Sequence, residues 1–425
     1  MNFETAFTMD TSSIKYGPGT TREVGYDMEK LGAKRVLVVT DPNLSNSEPV
    51  GITLEALRGV GIEAVLYDQA QVEPTDASLL AAIEFASNGD FDGYVAVGGG
   101  SSIDTAKAAN LYATYPADFL AYVNKPIGEG RPVPGKLKPL IGIPTTAGTG
   151  SETTGIIVFD YLAMKVKTGI AHREVRPVLG IIDPNNTLTL PKMAAACTGL
   201  DVLCHAVESF TAIPYDLRPA PENPKLRPAY QGANPISDIW TTMAIQMGAE
   251  NIVPAVHEPE DEEARAQMLL AATYAGVGFG NAGCHLPHAM SYPVSGMVRD
   301  YVPEGYPPAA PLIPHGMSVI LNAPAVFRFT AQADPERHLY AASLMGTDIG
   351  GAVLDDAGDI LAQAFIKIMR QIGIPNGLQA VGYTPADVDK LVAGAIPQER
   401  LTKLSPRPVE ADDLRQLFLD SMVLW

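Results

Sequence analysis

The sequence predicts two domains of different class: an α/β domain, doubly wound about a mainly parallel sheet, followed by an all-α domain. Three observations carry this. Short β-branched runs alternate with helically spaced segments as far as Asp183-Pro184. From Pro191 onward the apolar spacing is helical and strand-like runs nearly vanish. A chain of 425 residues is long for one core and suits two.

Arg35-Val36-Leu37-Val38-Val39-Thr40-Asp41 is β-branched and stops at Pro42, as a strand buried on both faces of a parallel sheet does. Ala64-Val65-Leu66-Tyr67 is a weaker strand, with helical spacing between the two from about Val50 to Val60. A helix from Leu79 to Ala86 leads to a strand at Tyr94-Val95-Ala96-Val97. Leu140-Ile141-Gly142-Ile143-Pro144, Ile156-Ile157-Val158-Phe159-Asp160 and Val178-Leu179-Gly180-Ile181-Ile182 complete the strands. Alternation of this kind implies the doubly wound, mainly parallel sheet. The change of character near residues 184–191 sets domains of 1–188 and 189–425. In the second, Met243 to Met247, Ala264 to Ala275, Ile360 to Ile372 and Pro385 to Ala395 have helical spacing. Two Pro-rich stretches, Pro214 to Pro235 and Val302 to Pro314, have the length of lids or binding loops.

Composition narrows the function classes. A hydrophobic content of 46% with 18% charged residues is that of an ordinary globular protein. No apolar run approaches the ~20 residues that span a bilayer. The net charge of −18 argues against nucleic acid or an anionic membrane as partner. It also means that an anionic substrate needs a local cationic pocket. Cys197, Cys204 and Cys284 are too few and scattered for a disulfide framework, so a cytoplasmic compartment is the default. The first residues resemble neither a secretory signal nor a transit peptide, and a mature mitochondrial form with its presequence removed also fits.

Two stretches point to a nucleotide. Val97-Gly98-Gly99-Gly100-Ser101-Ser102-Ile103-Asp104 joins a strand to a helix through three glycines. Glycines let a phosphate approach the backbone, and a helix amino terminus offers N–H groups and partial positive charge. The plainer alternative is a turn with Ser101 and Asp104 at capping-box spacing. Ile143-Pro144-Thr145-Thr146-Ala147-Gly148-Thr149-Gly150-Ser151-Glu152 packs hydroxyls and glycines directly after a strand. These could hold a pyrophosphate or a nicotinamide amide, or simply form a polar turn. Asp41 follows the first strand, where a carboxylate can accept from a ribose and repel a 2′-phosphate. Together they favour a dinucleotide, and NAD over NADP.

A further set points to a metal. The chain holds seven histidines, and His285 and His288 stand three residues apart within Gly283-Cys284-His285-Leu286-Pro287-His288. His315 follows in Pro314-His315-Gly316. Asp201 and His205, four residues apart in a helical pattern, leave one helix face and could share one ion. Singly, these are a surface pair and a helix cap. With His288 and His315 they offer three nitrogens and one oxygen, a set for Fe(II) or Zn(II) and not for Mg or Ca.

These motifs, with Gly199-Leu200-Asp201 and His205-Ala206-Val207-Glu208, resemble the signatures of the iron-containing alcohol dehydrogenase family, in order and spacing, from about residue 14 to the carboxyl end. The resemblance implies an NAD-binding α/β domain and a helical domain holding one divalent metal, Fe(II) favoured and Zn(II) the alternative. It implies a small alcohol or hydroxy/oxo acid substrate and a homo-oligomer. The implied metal ligands are Asp201, His205, His288 and His315. Gly99, Gly100, Ser101, Asp104, Thr145, Thr146, Thr149 and Lys167 would contact NAD, with Asp41 on the ribose; Lys167 is assigned by its spacing before Ile181-Ile182-Asp183.

One departure stands out. The family's usual His-x-x-x-His-Pro is here His288, Tyr292 and Pro293. His288 and Tyr292 become the implied catalytic pair, with a phenol at the position that relays protons. His285 is an extra imidazole, read as a packed neighbour. His288 to Pro293, Arg227 to Asp238 and Pro397 to Pro408 are similar to a transhydrogenase branch of the family. That branch oxidises 4-hydroxybutyrate to succinic semialdehyde while reducing 2-oxoglutarate to 2-hydroxyglutarate. An ordinary NAD-dependent alcohol dehydrogenase is the alternative, and a non-catalytic nucleotide- or metal-binding protein a further one. Anionic substrates call for arginine, whose planar fork suits carboxylates, and Arg218, Arg227, Arg299 and Arg407 are the unranked candidates.

Overall fold

The structure, a computed structural model, describes residues 2–164, 166–306 and 311–425; residues 307–310 of the second Pro-rich stretch lie outside them. The chain forms two compact units, Thr11–Leu190 and Met1–Asp10 with Pro191–Trp425. The first ten residues thus belong with the helical unit, unlike the expected 1–188. Long-range bonds hold them there: Arg227 Nε donates to Glu4 Oε2 at 2.9 Å and Gln231 Nε2 to the Thr8 carbonyl at 2.9 Å. The Asp10 amide donates to Asn281 Oδ1 at 2.9 Å.

The α/β unit contains β1 (Ser13–Tyr16), β2 (Arg35–Val39), β3 (Glu63–Tyr67), β4 (Gly93–Gly98), β5 (Leu140–Pro144), β6 (Ile156–Tyr161), β7 (Val166–Ala171) and β8 (Leu179–Ile182). Six strands make one sheet in the order β1-β8-β5-β4-β2-β3, every pair parallel. Alternate residues feed the two faces. Val36, Val38, Val95 and Val97 pack with Val24 and Met28 of α1 (Val24–Lys30) and Val50 and Leu57 of α2 (Glu48–Gly59). Leu37, Val39, Tyr94 and Ala96 pack with Ala82 and Ala86 of α3 (Asp76–Ser87) and Ile103 and Ala106 of α4 (Gly100–Thr114). Covering both faces is what makes the strands read as near-continuous apolar runs.

The expected strand at Ile156–Asp160 exists as β6, but it is not in the parallel sheet. The chain turns at Leu162–Met164 and returns as β7, so β6 and β7 pair antiparallel as a separate ribbon.

In the helical unit, α5 (Lys192–Thr211), α6 (Pro235–His257), α7 (Glu262–Ala282), α8 (Leu286–Gly296) and α9 (His315–Ile320) come first and smaller helices follow; no strand forms among its described residues. Every residue of α5 from Gly199 to Thr211 is buried, Asp201, His205 and Glu208 included. Polar groups so placed are costly unless something satisfies them, and this sets up the site.

Candidate active site

In the α/β unit the connections leave β2 and β4 in opposite directions, outward to β3 and back through β5 to β8. The carboxyl ends of β2 and β4 therefore border the crevice at which ligands bind in such sheets. Asp41 stands just beyond β2, with Oδ1 accepting from the Asn43 amide at 2.9 Å. Opposite it, Gly99 precedes α4 and no side chain caps the helix.

The capping-box alternative is therefore corrected. Ser101 Oγ accepts from the Glu73 amide at 3.1 Å. Asp104 turns inward: Oδ1 accepts from Ser151 Oγ at 2.5 Å and Lys107 Nζ at 3.2 Å, and Oδ2 from the Val158 amide at 2.8 Å. Asp104 thus ties α4 to β6 and to the loop after β5, with both oxygens used inside the unit.

The hydroxyl loop closes on the glycines. A Cβ on Gly100 would lie 2.7 Å from Thr149 Oγ1, and one on Gly99 3.3 Å from Thr146 Oγ1. Gly99, Gly100, Ser101, Thr146 and Thr149 therefore share one mouth, and Thr145 is buried beneath it with its amide on the Gly98 carbonyl at 3.1 Å. Lys167 on β7 is buried, 2.7 Å from Glu73 Oε2 and 3.1 Å from Asp160 Oδ1. Burial disfavours its charge, but the two carboxylates outweigh this and raise its pKa. Glu73 thereby links Lys167 to Ser101.

In the helical unit, Asp201 and His205 of α5, His288 of α8 and His315 of α9 present ligand atoms all within 4.8 Å of one another. Asp201 Oδ1 is 3.6 Å from His288 Nε2 and 3.9 Å from His315 Nε2, and Oδ2 is 3.8 Å from His205 Nδ1. These separations are too long for hydrogen bonds and near the ~3.4 Å between atoms sharing a tetrahedral ion at ~2.1 Å. Asp201 Oδ1, His205 Nδ1 and His288 Nε2 are buried with no hydrogen-bond partner. The donor set thus fits a divalent metal by both chemistry and unmet need.

The electrostatics agree. Burial would raise the Asp201 pKa, yet the imidazoles of His205, His315 and His288 hold it well below the usual carboxylate range. Burial pushes His205 down to about 3, so its ring is neutral, the form that ligates metals. Phe279 backs that ring at 3.9 Å between centroids.

Close approach of α9 to α5 requires Gly316. A Cβ there would fall 2.0 Å from the Cys197 carbonyl oxygen and 2.9 Å from Asp201 Cβ. The sequence reading gave Glu208 no role; it follows His205 by three residues on the same helix face. Its Oε1 lies 2.6 Å from His288 Nδ1, and its Oε2 accepts from the His285 amide at 2.8 Å. Cys284 lies within the same group, but burial pushes its thiol up to about 11, so it packs as a neutral side chain. His285 is fully buried with Nε2 on Thr211 Oγ1 at 3.1 Å, apart from the ligand set.

Tyr292 is buried one helical turn beyond His288, and its hydroxyl accepts from Arg400 Nη2 at 2.6 Å. The four arginines picked from the sequence are engaged elsewhere. Arg218 donates to the Tyr230 carbonyl at 2.9 Å, Arg227 pairs with Glu4, Arg299 with Asp387, and Arg407 with Gln332 at 2.7 Å. Arg400 was missed because it sits on a one-turn helix, Glu399–Thr402, with no periodicity to mark it.

A doubly wound sheet with a glycine and hydroxyl mouth, together with three imidazoles and a carboxylate gathered in a helical unit, is an arrangement suited to a nucleotide- and metal-dependent enzyme. The iron-containing alcohol dehydrogenase sequence pattern matches residues 11–184, and that of the family's carboxyl-terminal part residues 229–422. The chain belongs to the iron-containing alcohol dehydrogenase family and is an oxidoreductase. It is 55% identical to the mitochondrial hydroxyacid-oxoacid transhydrogenase of Mus musculus, covering 99% of this chain and 91% of that protein. The Homo sapiens protein of that name is 54% identical, with 99% and 90% covered. Among solved structures, 1,3-propanediol oxidoreductase is similar at a TM-score of 0.85 and 28% identity, covering 98% of this chain and all of that one. Sulfoacetaldehyde reductase from Bifidobacterium kashiwanohense, in complex with NAD+, gives 0.79 and 25%, over 98% of each chain. No helix among the described residues is long and apolar enough to cross a membrane.

Proposed function

We propose that this chain is a hydroxyacid–oxoacid transhydrogenase that oxidises 4-hydroxybutyrate to succinic semialdehyde and reduces 2-oxoglutarate to 2-hydroxyglutarate. The observation that carries the reading is the identity of 54–55% to proteins of that name over 99% of the chain. The buried donor set supports the metal, Fe(II) before Zn(II) on the family's name. The NAD complex of a structural relative supports NAD. The relatives' names favour a mitochondrial over a cytoplasmic protein.

Asp201, His205, His288 and His315 would hold the metal, and Asp41, Gly99, Gly100, Ser101, Thr145, Thr146 and Thr149 would line the NAD site, with Asp104 and Lys167 bracing it from behind. When bound, the ion supplies Lewis acidity at the alcohol or carbonyl oxygen and NAD a hydride acceptor that the second substrate regenerates. Glu208 fixes the His288 ring so that Nε2 faces the set. Tyr292 Oη accepts from Arg400, which leaves its own proton available to donate toward substrate, as a relay requires. The alcohol-dehydrogenase alternative is separated by one assay. Metal- and NAD-loaded protein, gel-filtered and given both acids, should form 2-hydroxyglutarate and succinic semialdehyde in equal amounts. Turnover only of simple alcohols, and only with added NAD, rejects the transhydrogenase reading.

A further inference from the structure

Arg400 is the unexplained charge of the helical unit. Its Nη1 is buried with no hydrogen-bond partner, and among the described residues no carboxylate pairs with it. Its guanidinium carbon lies 5.6 Å from the Tyr230 ring centroid and 5.9 Å from that of Tyr292, so two tyrosine side chains flank the cation. Nη2 is fixed on Tyr292 Oη at 2.6 Å. An arginine of intermediate exposure whose Nη1 is buried and short of an anion, and whose Nη2 is fixed, has the form of a receptor for one, since an unpaired buried charge otherwise carries a large desolvation penalty.

The position supplies the ligand's shape. Tyr292 follows His288 by four residues, about 6 Å along the axis. The guanidinium bonded to Tyr292 Oη thus sits on a residue that shares the face of α8 carrying His288. The two proposed substrates share one spacing. In 4-hydroxybutyrate the reacting carbon is C4 and the carboxylate is C1. In 2-oxoglutarate the reacting carbon is C2 and the far carboxylate is C5. Each carboxylate lies three carbon–carbon bonds from the carbon that exchanges hydride. One fixed cation can serve both half-reactions.

We propose that Arg400 is the docking residue for this distal carboxylate, common to both substrates, with Tyr230 and Tyr292 holding its guanidinium in place. The assignment rests on the transhydrogenase reading for the identity of the acids. It does not rest on any of the arginines already paired with Glu4, Asp387 or Gln332. Selection then follows length: 3-hydroxypropionate, one carbon shorter, and pyruvate, with no distal carboxylate, are poor substrates.

The test compares wild-type holoenzyme with Arg400→Gln and Arg400→Lys, each first checked for bound metal and NAD. The expected result is a KM for 4-hydroxybutyrate and for 2-oxoglutarate raised at least 100-fold in Arg400→Gln. Arg400→Lys should fall between, and kcat/KM for 1,4-butanediol, which has the hydroxyl without the carboxylate but uses the same Tyr292 hydroxyl, should fall at least 10-fold less than kcat/KM for the acids. Calorimetric binding of 4-hydroxybutyrate should be lost in parallel. Metal- and NAD-loaded variants that keep the acid KM values, or that lose acid and diol equally, overturn the assignment while leaving the transhydrogenase reading intact. A wild type that exchanges no hydride between the acids, yet binds 4-hydroxybutyrate only while Arg400 is present, overturns the reading and keeps the assignment.

Discussion

Glu208 Oε1 lies 2.6 Å from Nδ1 of His288, across α5 and α8, and this contact sets which nitrogen of His288 faces the donor set. The carboxylate can only accept when ionised, so the proton sits on Nδ1 and Nε2 is left for a ligand bond. Glu208→Gln keeps the shape and removes the charge. Metal affinity should fall 10- to 100-fold, the usual effect of losing such a partner. Metal titration monitored by activity and by direct metal analysis checks this; an unchanged affinity would show that Glu208 only packs.

Gly316→Ala tests how α9 reaches α5. The added methyl would meet the Cys197 carbonyl oxygen at 2.0 Å, so the backbone must move. Overpacking of this kind costs about 1–3 kcal/mol, and the shift carries His315 away from Asp201. Both the Tm and the metal content of the variant should drop. A variant with native Tm and a full metal complement contradicts the packing argument.

Gly100→Ala acts in the other unit. Its methyl would meet Thr149 Cγ2 at 2.6 Å and Oγ1 at 2.7 Å, displacing the hydroxyl loop from the start of α4. NAD affinity, followed by NADH fluorescence, should weaken at least 10-fold with metal content unchanged. Equal loss of both would indicate general unfolding.

Acid should destabilise the helical unit through His338. Its Nδ1 lies 2.7 Å from the Asp334 carbonyl, its Nε2 2.8 Å from Thr330 Oγ1, and burial pushes its pKa from 6.5 down to about 4. Between those values the unfolded chain binds the proton and the folded one does not. Stability is thus complete above pH 6.5 and declines as the pH falls toward 4, by up to about 3 kcal/mol. His338→Gln should flatten the urea midpoint over that window; an unaltered slope contradicts the prediction.

What was legible in the sequence follows how local each signal is. Asp201 and His205 share a face by helical period, and the run Gly98-Gly99-Gly100 marks a strand-to-helix mouth without reference to distant residues. β1 gave no signal because Ser13–Tyr16 is an edge strand with no fully buried position. Ile156–Asp160 reads as a sheet strand because β6 has the composition of a buried strand, and β7 gave no signal; its partner, not its residues, sets the place of β6. Asp104 faces inward for a reason that lies 47 and 54 residues away, at Ser151 and Val158. Arg400 was illegible for the same cause: its meaning comes from Tyr292, 108 residues earlier.

The central claim is that hydride passes between two acids on one retained cofactor, and isotope transfer tests it most directly. Gel-filtered holoenzyme is given 4-hydroxybutyrate deuterated at C4, with unlabelled 2-oxoglutarate and no added NAD. The account predicts 2-hydroxyglutarate carrying one deuterium at C2, formed mole for mole with succinic semialdehyde. Unlabelled 2-hydroxyglutarate, or none until NAD is supplied, would contradict it.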